Sequence, residues 1–464
     1  EDTYWAINGF FFRFNYNYKQ RYLLEVNGRY DGSSKFAKDH RYAFFPSVSA
    51  AWRISEENFW QPLKGWWNDM KIRGSYGSLG NQVMDDLGNF PYLATYGTNS
   101  SYNYLINGSK PVIVKAPGLV APDFTWETVT QMDFGFDASF LNNRLTGTFD
   151  WYRRNTKDML VAGATLPATL GASVPKSNSA DMKTIGWELS LGWNDRLENG
   201  FSYWVKGVLS DYQATITKYA GNDAGFYSQS DGDGKYYVGQ KIGEIWGYHS
   251  NGLFQSDDEA ATIDQSELYA GKWGAGDVKY EDLDNDGKIT KGEETIYNPG
   301  DKSIIGNKTP RYQFGITVGF DYKNFDFEMF WQGTGKRDYM LSGAQFWGFT
   351  SQWDVPYTPA LDYWTETNTD AYFPRPGWQN GGNRVTSDRY LQSAAYGRLK
   401  NLTVGYTIPK NLTTKWGISR LRLYVTGENL LTITPLNDAF DPETLGGMTY
   451  PINRKVAIGL NLTL

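Results

Sequence analysis

Apolar and polar residues alternate one by one in thirteen separate stretches of this chain, most of them spanning the ~9 to 11 residues that a tilted strand needs to cross a membrane. In one stretch Met132, Phe134, Phe136, Ala138 and Phe140 fall on one face, with Gln131, Asp133, Gly135, Asp137 and Ser139 on the other. At the end of the chain Val456, Ile458, Leu460, Leu462 and Leu464 do the same opposite Lys455, Ala457, Gly459, Asn461 and Thr463. One greasy face and one face of small and polar groups fit a sheet with lipid outside and water inside. A soluble β-sandwich also alternates, but its strands average about 5 to 6 residues and hide the apolar face. Residues 311–322 instead carry Tyr312, Phe314, Ile316, Val318, Phe320 and Tyr322 on one face, rings at both ends, as suits a strand crossing two headgroup layers.

The alternation predicts strands at 4–18, 20–31, 42–54, 69–79, 125–140, 144–156, 182–194, 200–218, 311–322, 324–333, 391–408, 419–432 and 452–464. Their links take turns between short (19, 141–143, 195–199, 323) and long (80–124, 157–181, 219–310, 334–390). That rhythm predicts an all-β, antiparallel meander barrel with short periplasmic turns at one rim and long extracellular loops, 80–124, 219–310 and 334–390, at the other. Single-chain bacterial barrels have even strand counts, so thirteen strands read as the later part of a larger wall.

Composition narrows the function. Mean hydropathy is −0.54 and no run of ~18 apolar residues exists, which excludes a helical membrane protein. Aromatics make up 17% of the chain, in keeping with two interfacial girdles. A net charge of −6 without a basic stripe argues against nucleic acid as a partner. With no cysteine, disulfides and thiolate metal sites are excluded.

Specific wording then appears. Tyr396-Gly-Arg-Leu-Lys-Asn-Leu-Thr-Val-Gly-Tyr406, Ile408-Pro409, Leu423-Tyr-Val-Thr-Gly-Glu-Asn-Leu-Leu431, Asp441-Pro-Glu443 and Tyr450-Pro451 resemble the closing strands of SusC/RagA-type TonB-dependent outer-membrane transporters. Leu24 to Phe36, Phe45-Pro46, Lys71 to Gly77, Gly247-Tyr248 and Gly252-Leu-Phe254 are similar to the same family, so the resemblance covers nearly the whole chain. It implies a barrel of about 22 strands in the bacterial outer membrane, crossed many times and surrounded by outer-membrane lipid. It also implies a plug and a segment engaging the TonB complex, both expected upstream of Glu1. The implied activity is import of an oligosaccharide or peptide beneath a SusD-like surface lipoprotein, without enzymatic chemistry. Other outer-membrane barrels, a siderophore receptor or a passive porin, are the alternatives, followed by a soluble glycan-binding β-protein.

One motif points to a metal. In Asp282-Leu-Asp284-Asn-Asp286-Gly287-Lys288-Ile-Thr290-Lys-Gly-Glu293, carboxylates stand at positions 1, 3 and 5 of a calcium-type loop and Gly at 6. The Lys288 carbonyl, Thr290 and Glu293 fill positions 7, 9 and 12. Calcium takes six to eight oxygens at about 2.3 to 2.6 Å, which a tight turn at Gly287 would fold onto one structural ion. The resembling family often ends this loop with Asp before an Asp-x-x-x-Ile-Gly run. Here Asp301-Lys-Ser-Ile-Ile-Gly306 follows late, so Glu293 and Asp301 are rivals for the last ligand.

The 334–390 loop is rich in rings. They are expected chiefly to pack the loop onto the rim, with Trp347, Trp353, Trp364 and Trp378 as candidate substrate or lid contacts. Hydrolysis has little support: the two histidines, His40 and His249, stand in unrelated contexts, and neither a Gly-x-Ser-x-Gly elbow nor a His-Glu-x-x-His helix is present.

Overall fold

The computed structural model describes residues 4–82, 88–99, 105–106, 108–110, 112–121, 123–163, 166–227, 236–445 and 450–464. Its largest element is a 13-stranded antiparallel sheet in which each strand pairs with the next wall strand along the chain. The strands are β1 (Ile7–Tyr18), β2 (Tyr22–Ser33), β3 (Tyr42–Arg53), β4 (Trp67–Asn81), β5 (Glu127–Phe140), β6 (Leu145–Ala162), β7 (Lys176–Arg196), β8 (Ser202–Tyr219), β9 (Arg311–Tyr322), β10 (Phe325–Lys336), β11 (Tyr396–Thr407), β12 (Arg420–Ile433) and β13 (Lys455–Thr463). This is the all-β meander and the strand count expected from the alternation. Among the described residues no helix is long and apolar enough to cross a membrane.

Register carries the two-faced pattern across the sheet. Phe136 sits opposite Ile72 on one side and Phe149 on the other, and Trp151 faces Trp187. One outward face therefore runs unbroken over neighbouring strands, since side chains alternate with a period of two. The inward face gathers Arg73, Asp133, Asp137, Asp150 and Glu188. β1 and β13 are the two edges, and every residue of β1 is exposed.

Three differences from the expected strands have physical causes. β6 and β7 extend to Ala162 and Lys176, beyond the expected 156 and 182, because they continue to pair past an irregularity between Thr156 and Met159. The expected strand 391–408 divides: Leu391–Ser393 pairs with Asp338–Met340 in a separate two-stranded sheet, and the wall strand starts at Tyr396. The 219–310 link carries strands of its own, Glu244–Tyr248 with Lys302–Asn307 and Ser250–Leu253 with Val278–Tyr280.

The largest buried core lies among these outer links. Tyr248, Leu253, Val278, Tyr280 and Ile289 from 219–310 pack with Leu341, Phe346, Phe373 and Tyr390 from 337–395 and with Leu436, Phe440 and Leu445 from the last link. Burying these side chains stabilises by about 1.5 to 3 kcal/mol each, which joins three long connections into one folded unit. Turns at the opposite rim are tight: Lys323 lies between paired Tyr322 and Phe325 and takes a left-handed φ of 56°.

Candidate functional site

The acidic turn folds around backbone donors. The Asp282 carboxylate accepts from the backbone N–H of Asn285 (2.7 Å), Asp286 (3.3 Å) and Gly287 (2.8 Å), and Asp286 accepts from Lys288 N–H (2.8 Å). Gly287 takes φ 84°, the left-handed conformation the tight turn requires. The Gly287 carbonyl accepts from Asp264 N–H (3.0 Å), and Ile289 N–H donates to the Asp264 carbonyl (2.7 Å), which fixes the turn to 264–268.

Asp301 closes the turn from outside the motif. It is fully buried, and its two carboxylate oxygens accept from Leu283 N–H (2.8 Å) and Thr290 N–H (2.7 Å). Asp282, Asp284 and Asp301 each bring one carboxylate oxygen within 4.8 Å of the others. Two oxygens ligating one calcium at about 2.4 Å stand no more than about 4.8 Å apart, so this donor set suits that ion. Asp286 and Glu293 lie outside the cluster; Glu293 is exposed and its backbone N–H donates to Asn298 O (3.0 Å). Of the two rivals for the last position, the structure brings Asp301 to the others. Desolvation raises the Asp284 carboxyl above its usual range, with the charges of Asp286, Asp301 and Asp282 adding to the effect. Desolvation also acts upward on Asp282, but the backbone donors outweigh it and hold that carboxyl below its usual range.

The four candidate tryptophans separate into two pairs. Trp347 and Trp364 pack on the shared outer core, and Trp347 meets Tyr390 edge-on with ring centroids 4.6 Å apart. Trp353 and Trp378 are exposed, at 83% and 45%. Trp353 stands beside Asp354, whose carboxylate accepts from the Thr350 hydroxyl (2.6 Å) and from the N–H of Thr350 and Ser351 (2.7 Å each). Those donors hold the Asp354 carboxyl down at about 2.

Polar ties between distant links were not visible in the sequence. His249 Nδ1 shares a 2.7 Å hydrogen bond with Asp388 Oδ2, and its Nε2 another of 2.7 Å with Ser303 Oγ. Asp277 is 1% exposed and is held by Arg375 (2.8 Å), Asn383 (2.8 Å) and Gly274 N–H (2.9 Å). Arg398, 2% exposed on β11, binds Asp441 at 2.5 Å and Glu443 at 3.3 Å, drawing the last link onto the wall. These pairs join positions far apart in the chain, and no local spacing betrays them. Beside the ties lies a cavity of about 730 Å³, lined among others by Tyr227, Trp246, Tyr248, Glu267, Lys302 and Arg384.

On the inward face of the wall, several charges are matched in pairs. Arg73 bridges Asp150 and Asp137, Arg422 meets Asp326, and Arg13 meets Glu25 at 2.7 Å. A water-facing wall of ion pairs, an apolar outer face and a folded unit of loops at one rim together define an outer-membrane β-barrel protein.

A family model described as TonB dependent receptor-like, beta-barrel, matches residues 1–430, and the chain belongs to that family of outer-membrane proteins. It is 30% identical to TonB-dependent receptor P26 and 31% identical to TonB-dependent receptor P3, both of Formosa agariphila. These matches cover 98% and 97% of this chain and 46% and 45% of those proteins. TonB-dependent receptor SusC of Bacteroides thetaiotaomicron is 28% identical over 98% of this chain and 43% of its own length. The solved structure of the RagAB peptide transporter superposes with a TM-score of 0.77 over 99% of this chain and 48% of that one, at 23% identity, and so shares the fold. The chain thus spans a little under half the length of these relatives.

Proposed function

We propose that this chain forms wall strands and outer loops of a SusC/RagA-type importer that takes up an oligosaccharide or peptide. A SusD-like surface lipoprotein would deliver the cargo, and the TonB complex would supply the energy. The observation that carries this reading is the shared core of the three outer links, standing over a polar, ion-paired inner wall. Passive diffusion needs only an open mouth, whereas capture and gated release need a folded, ligand-sized surface there. The cavity beside Trp246 and the exposed Trp353 and Trp378 supply such a surface. The RagAB structure, which shares this fold, is described as that of a peptide transporter, in keeping with a peptide or an oligosaccharide as cargo.

Further strands pairing with β1 and β13 belong to this proposal. An unpaired strand edge in lipid costs several kcal/mol per exposed backbone group, and closure removes that cost. Calcium is proposed as a structural ion held by Asp282, Asp284 and Asp301, bracing the 219–310 link on the outer face. The row Asp388, His249, Ser303 has the order of a hydrolytic triad, but Ser303 lies in a paired strand opposite Gly247 instead of on a sharp, exposed elbow. We assign the row to tying the loops together.

The test is twofold. A SusD-like lipoprotein should co-purify from mild detergent extracts, and a deletion strain should lose growth on one oligosaccharide or peptide class. Unaltered growth on every such substrate, with no lipoprotein captured, would overturn the importer reading.

A further inference from the structure

Among the described residues, the outward face of the wall carries a cluster of cations without ion-pair partners. Arg153, Asn155 and Lys157 of β6 follow Trp151 on the same side of the strand, and Lys183 of β7 stands directly opposite Asn155. Cross-strand neighbours have Cβ atoms about 4.5 to 5.5 Å apart and diagonal ones about 7 to 8 Å, so Arg153 and Lys157 flank Lys183 within reach of one small anion. Asn155 Oδ1 accepts from Arg153 Nε at 3.3 Å and orients the guanidinium. Arg153 and Lys157 are exposed and Lys183 is half-buried.

Among the described residues none of the three has a carboxylate within ion-pair distance. Of the acids nearby, Asp181 lies two residues before Lys183 on the same face and accepts from Asp158 N–H at 2.9 Å, while Asp211 is matched by Arg311; the cations outnumber the one unmatched carboxylate. On the adjacent β8, Lys218 stands opposite Asp181 beside the patch, while other strands present uncharged side chains on this face toward the same rim, such as Tyr30, Tyr42, Tyr76, Met132, Tyr312 and Leu431. The cations therefore cluster where β6, β7 and β8 run side by side.

Height along the strand identifies what they meet. A strand rising ~3.3 Å per residue and tilted ~40° carries Arg153 about 20 Å and Lys157 about 30 Å above Leu145 at the short-turn rim. The apolar band of such a wall is about 25 Å tall, so the patch straddles the boundary on the long-loop, extracellular side. A cation there is tolerated in the headgroup layer, and an exposed Arg beside two Lys matches the several acceptor oxygens of a phosphate.

We infer that Arg153, Lys157 and Lys183, positioned by Asn155, bind the phosphate of a glycolipid in the outer leaflet. This depends on the lipid-facing orientation of the wall and is independent of the cargo. Each cation near an anionic headgroup contributes roughly fivefold in affinity, so the three together contribute on the order of 100-fold.

Native mass spectrometry of the detergent-extracted protein, titrated in turn with bisphosphorylated lipid A, dephosphorylated lipid A and inorganic phosphate, tests the site. The bisphosphorylated lipid should bind at least about tenfold more tightly than the dephosphorylated form. The combined Arg153→Gln, Lys157→Gln and Lys183→Gln variant should lose on the order of 100-fold, while Arg154→Gln, which changes the neighbouring inward-facing arginine, should bind like the parent. Heat-dependent gel migration identifies folded protein. If the triple variant misfolds, Arg153→Gln and Lys157→Gln singly should each lose roughly fivefold. Equal binding of both lipids, full binding by the folded variants, or inorganic phosphate competing at the lipid's own concentration would overturn the headgroup site.

Discussion

His249 and Asp388, 139 positions apart, share a 2.7 Å hydrogen bond that joins the two longest outer links of the chain. Ser250 N–H donates to the other Asp388 oxygen at 3.0 Å, and Asp388 N–H donates to Tyr248 O at 3.1 Å, so one aspartate holds the strand end at 248–250. Asp388→Ala should raise amide hydrogen exchange at 248–253 by about tenfold, as expected for losing hydrogen bonds of about 1 kcal/mol each. Unchanged exchange would show that the apolar core alone fixes this joint.

Asp301 and Glu293 should differ sharply in a calcium titration. Asp301→Asn is expected to weaken calcium binding by at least about tenfold, whereas Glu293→Gln should change it by less than about threefold. Isothermal calorimetry after chelator treatment reads both. The reverse ranking would restore Glu293 to the last ligand position, and no binding by the parent at millimolar calcium would remove the site.

The tryptophans should separate by effect. Trp347→Ala opens a hole beside Tyr390 and is expected to destabilise the outer unit by about 2 to 4 kcal/mol, seen as faster proteolysis of the 337–395 link. Trp353→Ala removes an exposed ring and should leave proteolysis unchanged while weakening capture of cargo or lipoprotein. Equal proteolysis of the two variants would contradict the division between packing and contact.

Acid should loosen the turn that displays Trp353. The Asp354 carboxyl titrates at about 2 when folded, below the ~3.9 of an unfolded chain, so its stabilisation is complete above about pH 4 and is lost as pH falls through 2. Asp354→Asn should make the fluorescence of this region insensitive to pH over that window. A parent protein already insensitive there would argue that the turn does not depend on the carboxylate.

The wall was legible because its physics is local. Each strand's faces follow from residues two apart, so Met132 to Phe140 or Tyr312 to Tyr322 announce their orientation unaided. The break before Tyr396 was not, because the small Ala394 and Ala395 do not interrupt the pattern. In the metal loop, Asp282 and Asp284 were legible from their spacing. The Asp301 contact with Leu283 spans 18 positions and needed the loop's return to be seen. Ties such as Asp277 with Asn383 span 106 positions and follow from packing alone. The cationic patch is not legible in the sequence for a similar reason, since Arg153 and Lys183 become neighbours only through the pairing of β6 with β7.

The central claim, energised import through this wall, is tested most directly by uptake in whole cells. Labelled oligosaccharides and peptides are offered to the parent strain, to a deletion strain and to parent cells treated with a protonophore. The account predicts that one cargo class enters parent cells, fails to enter the deletion strain and stops entering when the proton gradient collapses. Uptake that survives both deletion and collapse for every cargo would contradict it.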